Sequence, residues 1–256
     1  MTRKPLIAGN WKMHKTHLEA IAIVQKVHYL LRPQDLDAVD ALVCPPFTAL
    51  RAVQTIIDAD NMRIVLGGQN CHWEKEGAFT GEVSASMLAR LKCSYVIAGH
   101  SERRALFGET DEIVNKKAKA IFASEMTPIV CVGEQLDDRE AGRATDVVGA
   151  QLRGSLKGFG AEQIGGMVIA YEPVWAIGTG KNATPQDAQD MCAFIRDEVS
   201  KIGGQPAADA VRIQYGGSVK AGNIASIMEG PDVDGALVGG ASLDPEEFAL
   251  IVRFQG

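Results

Sequence analysis

The 256-residue sequence lacks several features that define whole classes of protein. It has no apolar run of transmembrane length, and its first residues lead into a short apolar segment rather than a signal-peptide core. Its five cysteines are odd in number and scattered, which favours buried, reduced thiols over a disulfide framework or a metal site. The formal net charge of −6 argues against binding to nucleic acid or to anionic membranes. We therefore expect a cytoplasmic protein.

The composition is that of an ordinary globular protein. Hydrophobic residues make up 46% of the chain and charged residues 23%, which is enough to bury a large core. A chain of this length could form two domains, but α/β barrels of the same size form one. No linker, low-complexity segment or charge block divides the sequence, so we expect one domain over residues 1–256.

Short apolar runs alternate with longer, helix-patterned segments from end to end. Each run is four to six residues long and apolar on both faces, as is typical of parallel strands covered by helices. Eight β–α units in about 250 residues predict an α/β fold, a single-domain (β/α)8 barrel with eight parallel strands ringed by helices. The alternative is an open, doubly wound sheet. The predicted strands are Leu6–Asn10, Ala41–Cys44, Ile64–Gln69, Tyr95–Ala98, Ile129–Val132, Met167–Tyr171, Val211–Tyr215 and Gly235–Val238.

Glu172 follows the sixth of these runs directly. A carboxylate at the end of a buried strand stands at the rim of the sheet, and Pro173 ends the strand there. Two glycines flanking a threonine come next, and Thr184-Pro185 opens a helix as N-cap and first helical residue. This pattern predicts a catalytic base beside a lid, although a surface ion pair followed by a glycine turn fits the segment about equally well.

Two other strand ends carry ionisable side chains. Lys12 follows Asn10 at the end of the first strand, where a semi-buried cation needs an anion. His100 follows the fourth strand, and Ser101 is predicted to open a short helix whose positive end would favour a neutral imidazole. Glu102 is the expected ion-pair partner of Lys12. Taken alone, a snorkelling lysine and a structural histidine would be the more common interpretations.

Glycine pairs follow the seventh and eighth strands, at Gly216-Gly217-Ser218 and at Gly239-Gly240. Their backbone N–H groups can cluster without side chains in the way, which is how barrels often bind phosphate after these two strands. A single pair usually marks only a tight turn. Two pairs at these positions favour a phosphate site.

The segment after the third strand, residues 69–82, is long and carries Phe79. Its length and its apolar tip suggest a protruding element that needs a partner surface. Cys71 and His72 are adjacent but lack further ligands at suitable spacing, so we do not predict a metal site.

Seven motifs together resemble the triosephosphate isomerase family, over the whole chain and in the family's order. They are Asn10-Trp11-Lys12-Met13, GAFTGE from Gly77, AGHSERR from Ala98, CVGE from Cys131, YEPVWAIGTGK from Tyr171, YGGSV from Tyr215 and LVGGASL from Leu237. The resemblance implies interconversion of dihydroxyacetone phosphate and glyceraldehyde 3-phosphate without a metal or organic cofactor. Neutral histidine, lid closure and diffusion-limited turnover are properties for which this family is a standard example.

The resemblance also implies roles for single residues. Glu172 matches the base, His100 the neutral electrophile, and Lys12, with Asn10 beside it, the cation that binds substrate. Glu102 matches the carboxylate that positions Lys12.

The phosphate-binding backbone N–H groups of the family fall on Gly178, Ser218, Gly239 and Gly240. Residues 173–175 and 181–183 match the hinges of the lid. Thr80 matches a residue that reaches the site of a neighbouring subunit, which implies a homodimer formed through the loop around Phe79-Thr80.

Two other functions stay open at this point. One is a Schiff-base aldolase with Lys12 as nucleophile, which would leave Glu172 without a role. The other is a catalytically silent barrel that binds a phosphorylated ligand, for which loss of Glu172 or His100 would be the expected sign. Both residues are present.

Overall fold

Eight parallel strands form a closed barrel in the computed structural model, which describes residues 3–176 and 183–256. Each strand pairs with the next along the chain, and the last pairs with the first. The predicted barrel is therefore confirmed, and the alternative of an open sheet is wrong. The strands are β1 (Leu6–Asn10), β2 (Asp40–Cys44), β3 (Val65–Gly68), β4 (Tyr95–Ala98), β5 (Thr127–Val132), β6 (Val168–Tyr171), β7 (Arg212–Tyr215) and β8 (Gly235–Val238).

Side chains of each strand alternate between two apolar layers, as the period of a strand requires. Leu6 and Ala8 lie in a cluster made only of strand residues, which fills the barrel interior. Ile7, between them, belongs to the larger cluster that the strands form with the surrounding helices. All three are fully buried. Burial of both faces explains why these strands are apolar throughout rather than alternating in polarity.

Helices cover the outside of the barrel. They are α1 (His17–Leu30), α2 (Pro33–Ala38), α3 (Phe47–Ala59), α4 (Ala85–Arg90), α5 (Ser101–Phe107), α6 (Asp111–Ala123), α7 (Leu136–Glu140), α8 (Ala144–Ser155), α9 (Ala161–Gly165), α10 (Pro185–Gly203), α11 (Gln205–Ala210), α12 (Ala221–Met228) and α13 (Pro245–Val252). Short 3-10 helices span Val174–Ala176 and Gly240–Leu243. No helix of residues 3–176 or 183–256 combines the length and apolar character needed to cross a membrane.

Side-chain caps fix where several helices begin. The Glu19 N–H donates to Thr16 Oγ1, and the Glu19 carboxylate accepts from the Thr16 N–H at 2.8 Å, which completes a capping box at α1. Thr184 caps α10 in the same way, with Pro185 as its first helical residue. The start of α10 matches the sequence prediction. Because every strand runs in the same direction, the segments that follow the strands all meet at one edge of the barrel.

Candidate active site

A cavity of about 350 Å³ opens at the edge of the barrel where the strands end. Its walls come from the segments after β1, β4, β6, β7 and β8, which are distant in sequence. This is the edge at which barrels of this type carry their chemistry. The predicted site residues that line the cavity are Asn10, Lys12, His100, Glu172, Ser218, Gly239 and Gly240.

The Glu172 carboxylate is 2% exposed and is held by three donors. Ser101 donates its backbone N–H to Oε2 at 2.9 Å and its hydroxyl to Oε1 at 3.0 Å. His100 Nε2 lies 3.0 Å from Oε1. Burial alone would raise the pKa of Glu172, but His100 and the hydrogen bonds from His100 and Ser101 outweigh burial and lower it. Glu172 is thus an ionised carboxylate that faces the cavity.

His100 caps α5 through its side chain. Its Nδ1 accepts the Glu102 N–H at 3.2 Å, so the hydrogen of a neutral ring lies on Nε2 and points to Glu172. Burial lowers the pKa of His100, but the adjacent Glu172 carboxylate outweighs burial and raises it. The helix start acts against this rise, since its N–H occupies Nδ1 and its positive end disfavours the imidazolium. We assign the neutral ring, whose one N–H donor, on Nε2, points to Glu172 at the wall of the cavity.

Lys12 lines the same cavity as Glu172 and forms the predicted ion pair with Glu102. Its Nζ is 2.5 Å from Glu102 Oε1, so a carboxylate two residues after the His100 cap holds the ammonium. A Cβ atom placed on Gly239 would lie 3.9 Å from Nζ, which brings the cation next to the second glycine pair. The ammonium therefore lies between Glu102 and the glycine pair that follows β8.

The backbone of Lys12 is left-handed, with φ of 52°, which is unfavourable for a side chain of this size. Two amides hold it there. Asn10 Oδ1 accepts the Lys12 N–H at 3.1 Å, and Gln69 Nε2 donates to the Lys12 carbonyl at 2.7 Å. The sequence analysis missed this role of Gln69. Its place immediately after β3 is the signal that could have found it.

The glycine-rich turns form the remaining wall. Gly217 has no room for a side chain, because a Cβ atom there would lie 2.1 Å from Tyr215 Oη. Gly240 opens the 3-10 helix Gly240–Leu243, whose first N–H groups have no acceptor within the helix. Ser218 is exposed in the turn after β7. The turns together offer backbone donors suited to an anion.

A second group of side chains, not predicted from the sequence, contacts the residues on either side of Glu172 in the chain. Glu134, after β5, is fully buried, and its Oε1 accepts hydrogen bonds from Tyr171 Oη at 3.0 Å and Trp175 Nε1 at 2.8 Å. Arg139 Nη1 lies 3.3 Å from the same oxygen. The rule that found Glu172, a carboxylate just beyond a strand, also fits Glu134 in the motif CVGE.

Two predictions fall partly or wholly outside this geometry. Gly178 and the hinge residues 181 and 182 lie outside the described residues, so their roles stay predictions. Phe79 lies at the tip of the long segment after β3, where its ring is 42% exposed and packs on His72 with centroids 4.2 Å apart. Within residues 3–176 and 183–256, no group of three or more His, Cys, Asp or Glu side chains could hold a metal ion.

Comparisons with known proteins agree with this geometry. The family model described as triosephosphate isomerase matches residues 5–255. The chain is 58% identical over 254 residues to a triosephosphate isomerase of Streptomyces coelicolor, covering 99% of this chain and 98% of that one. It is 55% identical over 251 residues to a triosephosphate isomerase of Mycobacterium marinum, covering 98% and 96% of the two chains.

A solved structure is similar over the same extent. The crystal structure of triosephosphate isomerase from Bartonella henselae superposes with a TM-score of 0.87 at 38% identity, covering 98% of this chain and 99% of that one. The family match and the high-identity relatives extend over nearly the whole sequence, and the barrel and its cavity agree with them. The chain belongs to the triosephosphate isomerase family.

Proposed function

We propose that the chain interconverts dihydroxyacetone phosphate and D-glyceraldehyde 3-phosphate through an enediolate, in glycolysis and gluconeogenesis. As a member of this family it is an isomerase, an intramolecular oxidoreductase. The observation that carries the proposal is a single cavity that holds Glu172, His100 and Lys12 beside two glycine-rich turns. No cofactor is included in the proposal.

Glu172 is proposed as the base. It takes a proton from the carbon beside the carbonyl and returns it to the former carbonyl carbon. The ionised state of the carboxylate supports this role, because only that form can accept the proton. The carboxylate accepts two hydrogen bonds from Ser101, and it must break them to reach the substrate carbon.

His100 and Lys12 are proposed to stabilise the oxygens. Removal of the proton places negative charge on the carbonyl oxygen, and preorganised donors lower the cost of that charge. The neutral imidazole offers Nε2–H, while the ammonium of Lys12, held by Glu102 and flanked by Asn10, supplies positive charge. A neutral donor can also move a proton between the two substrate oxygens.

The phosphate group is proposed to bind the backbone N–H groups of Ser218, Gly239 and Gly240, together with Gly178. The two glycine-rich turns line the same cavity, and Lys12 adjoins Gly239 of the second turn. Local donors of this kind can capture an anion although the net charge of the chain is −6.

The active form is proposed to be a homodimer, formed through the loop around Phe79-Thr80 with Thr80 directed to the site of the partner subunit. Two exposed apolar side chains in and near this loop support the proposal. Phe79 and Met87 line one surface hollow and are 42% and 52% exposed, which leaves apolar area for a second copy to cover.

Residues 1–256 are proposed to act as one domain in the cytoplasm. Pairing of β1 with β8 supports one domain, because the first and last strands share hydrogen bonds. All five cysteines are free and buried, which suits a reducing compartment.

The first test is isomerisation of glyceraldehyde 3-phosphate by the purified protein, with Glu172→Asp beside it. The shorter side chain withdraws the carboxylate by about 1 Å, so we expect kcat to fall by roughly 10²-fold or more with the fold intact. Glu162→Asp, at an exposed position on α9, is the matched control and should keep the wild-type rate. An inactive but folded wild type would overturn the proposed function, and near-normal turnover in Glu172→Asp would remove Glu172 from the role of base.

A further inference from the structure

Arg139 contacts three separate parts of the structure near the end of β6. It lies in α7, and its side chain is 30% exposed. Its guanidinium carbon is 4.3 Å from the centroid of the Trp175 ring, Nη1 is 3.3 Å from Glu134 Oε1, and Nη2 donates to Asp187 Oδ1. None of these three contacts is with Glu172, His100 or Lys12.

The first two contacts involve the residues that flank the proposed base in the chain. Glu134 accepts hydrogen bonds from Tyr171 and Trp175, which precede and follow Glu172 in the chain. Glu134 is fully buried, and Arg139 is its ion-pair partner among the described residues. A buried carboxylate without a cation is costly, so Arg139 stabilises the group that fixes both flanks of Glu172.

The third contact lies at the start of α10. Asp187 accepts hydrogen bonds from the Thr184 N–H at 2.9 Å and the Thr184 hydroxyl at 2.7 Å, which forms the capping box of this helix. Burial would raise the pKa of Asp187, but Thr184 and Arg139 together lower it, so the carboxylate is ionised. One guanidinium therefore joins the residues just after Glu172 to the helix that begins at residue 185.

We propose that Arg139 is a positioning residue for Glu172, because it ties the Glu134–Trp175 contact to the capped start of α10. This inference rests on the isomerase function proposed above. Arginine suits the task, since its planar fork can pair with two carboxylates while its face stacks on an aromatic ring. Lysine carries the charge but has neither the fork nor the planar face.

The test compares Arg139→Gln with Arg143→Gln in the purified protein. Arg143 lies just before α8 and pairs with Asp138 at 2.8 Å. Its replacement is the matched control, because it also removes one arginine and one ion pair. In Arg139→Gln we expect kcat to fall about tenfold, because a base displaced by a fraction of an ångström loses rate steeply. KM should change less than about twofold, since the contacts of Arg139 are with Glu134, Asp187 and Trp175 rather than with Lys12 or the glycine-rich turns. Arg143→Gln should match the wild type, and Arg139→Lys should recover only part of the rate.

Two readouts separate positioning from simple loss of stability. The acid limb of the kcat/KM profile should move to higher pH in Arg139→Gln, because a displaced Glu172 loses contacts with Ser101 and His100 that lower its pKa. Arg139→Gln and Asp187→Asn should also be non-additive in kcat, since both remove the same link. The inference is overturned if Arg139→Gln keeps the wild-type kcat and acid limb, or if its kcat falls only in proportion to the folded fraction measured by circular dichroism. An inactive wild type would instead overturn the isomerase function on which this role depends.

Discussion

The Glu172 carboxylate is both buried and charged, so its charge and its position depend on a few contacts. The Glu172 carboxylate is stabilised in its resting position by Ser101 and His100. Those contacts favour ionisation, but they must also be given up when the carboxylate turns to substrate. Ser101 therefore affects the charge state of the base as well as its position.

Ser101→Ala tests this dependence. The variant removes the hydroxyl donor to Glu172 Oε1 but keeps the backbone N–H donor to Oε2. Loss of a hydrogen bond to the charged form raises the pKa of a carboxyl group. We expect the acid limb of kcat/KM, measured with glyceraldehyde 3-phosphate, to move to higher pH. Ser226→Ala, exposed on α12, is the control, and a limb that stays in place or moves to lower pH would contradict the prediction.

The sequence predicted the strand-end residues of the site and missed the groups that hold them. Glu172, His100 and Lys12 could be found because each follows an apolar run in a fold that gathers strand ends. Ser101 lies 71 residues from Glu172 and Gln69 lies 57 residues from Lys12. Contacts over such separations leave no local pattern, so the hydroxyl at the start of α5 predicted a helix but not a partner of the base.

The strands of the barrel were all predicted, but the residues at which they begin and end were predicted less well. All eight strands were expected, yet β2 begins at Asp40 and β5 at Thr127, one and two residues before the predicted starts. Both residues are polar, so the search for apolar runs excluded them. Hydrogen bonding to the neighbouring strands nevertheless includes them in the sheet. Asp40 donates its N–H to the Pro5 carbonyl, and Thr127 donates to that of Ser94. Strand limits are set by the neighbouring strand, which sequence periodicity does not describe.

The loop of residues 69–82 is the element on which the proposed dimer depends. We expect Phe79→Ala to weaken dimerisation by about 2 kcal/mol, or about thirtyfold in Kd, because a central aromatic contact typically costs that much. Activity should fall in parallel as the protein is diluted. Sedimentation velocity over a concentration series measures the first effect and dilution assays the second.

Tyr29→Ala is the matched control for this experiment, since it removes an aromatic ring that is 77% exposed on α1. Its sedimentation and activity should equal those of the wild type. A fully active monomer from Phe79→Ala would show that the loop is not needed across an interface.

At the scale of the whole molecule, the barrel interior holds the strand ends in place. The buried residues of the interior cluster come from six strands, β1, β2, β4, β5, β6 and β8, so the cluster joins strands that are distant in sequence. Ile129 of β5 is fully buried there and does not line the cavity. Its packing therefore contributes to stability without direct contact with substrate.

We expect Ile129→Ala to destabilise the protein by about 2–5 kcal/mol, as is typical when a large core side chain leaves a cavity. Tm should fall by at least about 4 °C, measured by circular dichroism. Leu250→Ala, at a side chain that is 48% exposed on α13, should change Tm little. Equal Tm values for the two variants would contradict the expected contribution of Ile129 to the free energy of unfolding.

Closure of the barrel also couples ligand binding to the stability of the entire fold. The cavity takes residues from the segments after β1, β4, β6, β7 and β8, so it exists only when the ring is closed. A triose phosphate that binds there has no counterpart site in the unfolded chain, and its binding free energy is added to the free energy of unfolding. At a hundred times Kd this gain is about 2.7 kcal/mol. Substrate concentration thus becomes a thermodynamic variable that acts on every strand at once, including those that never touch the ligand.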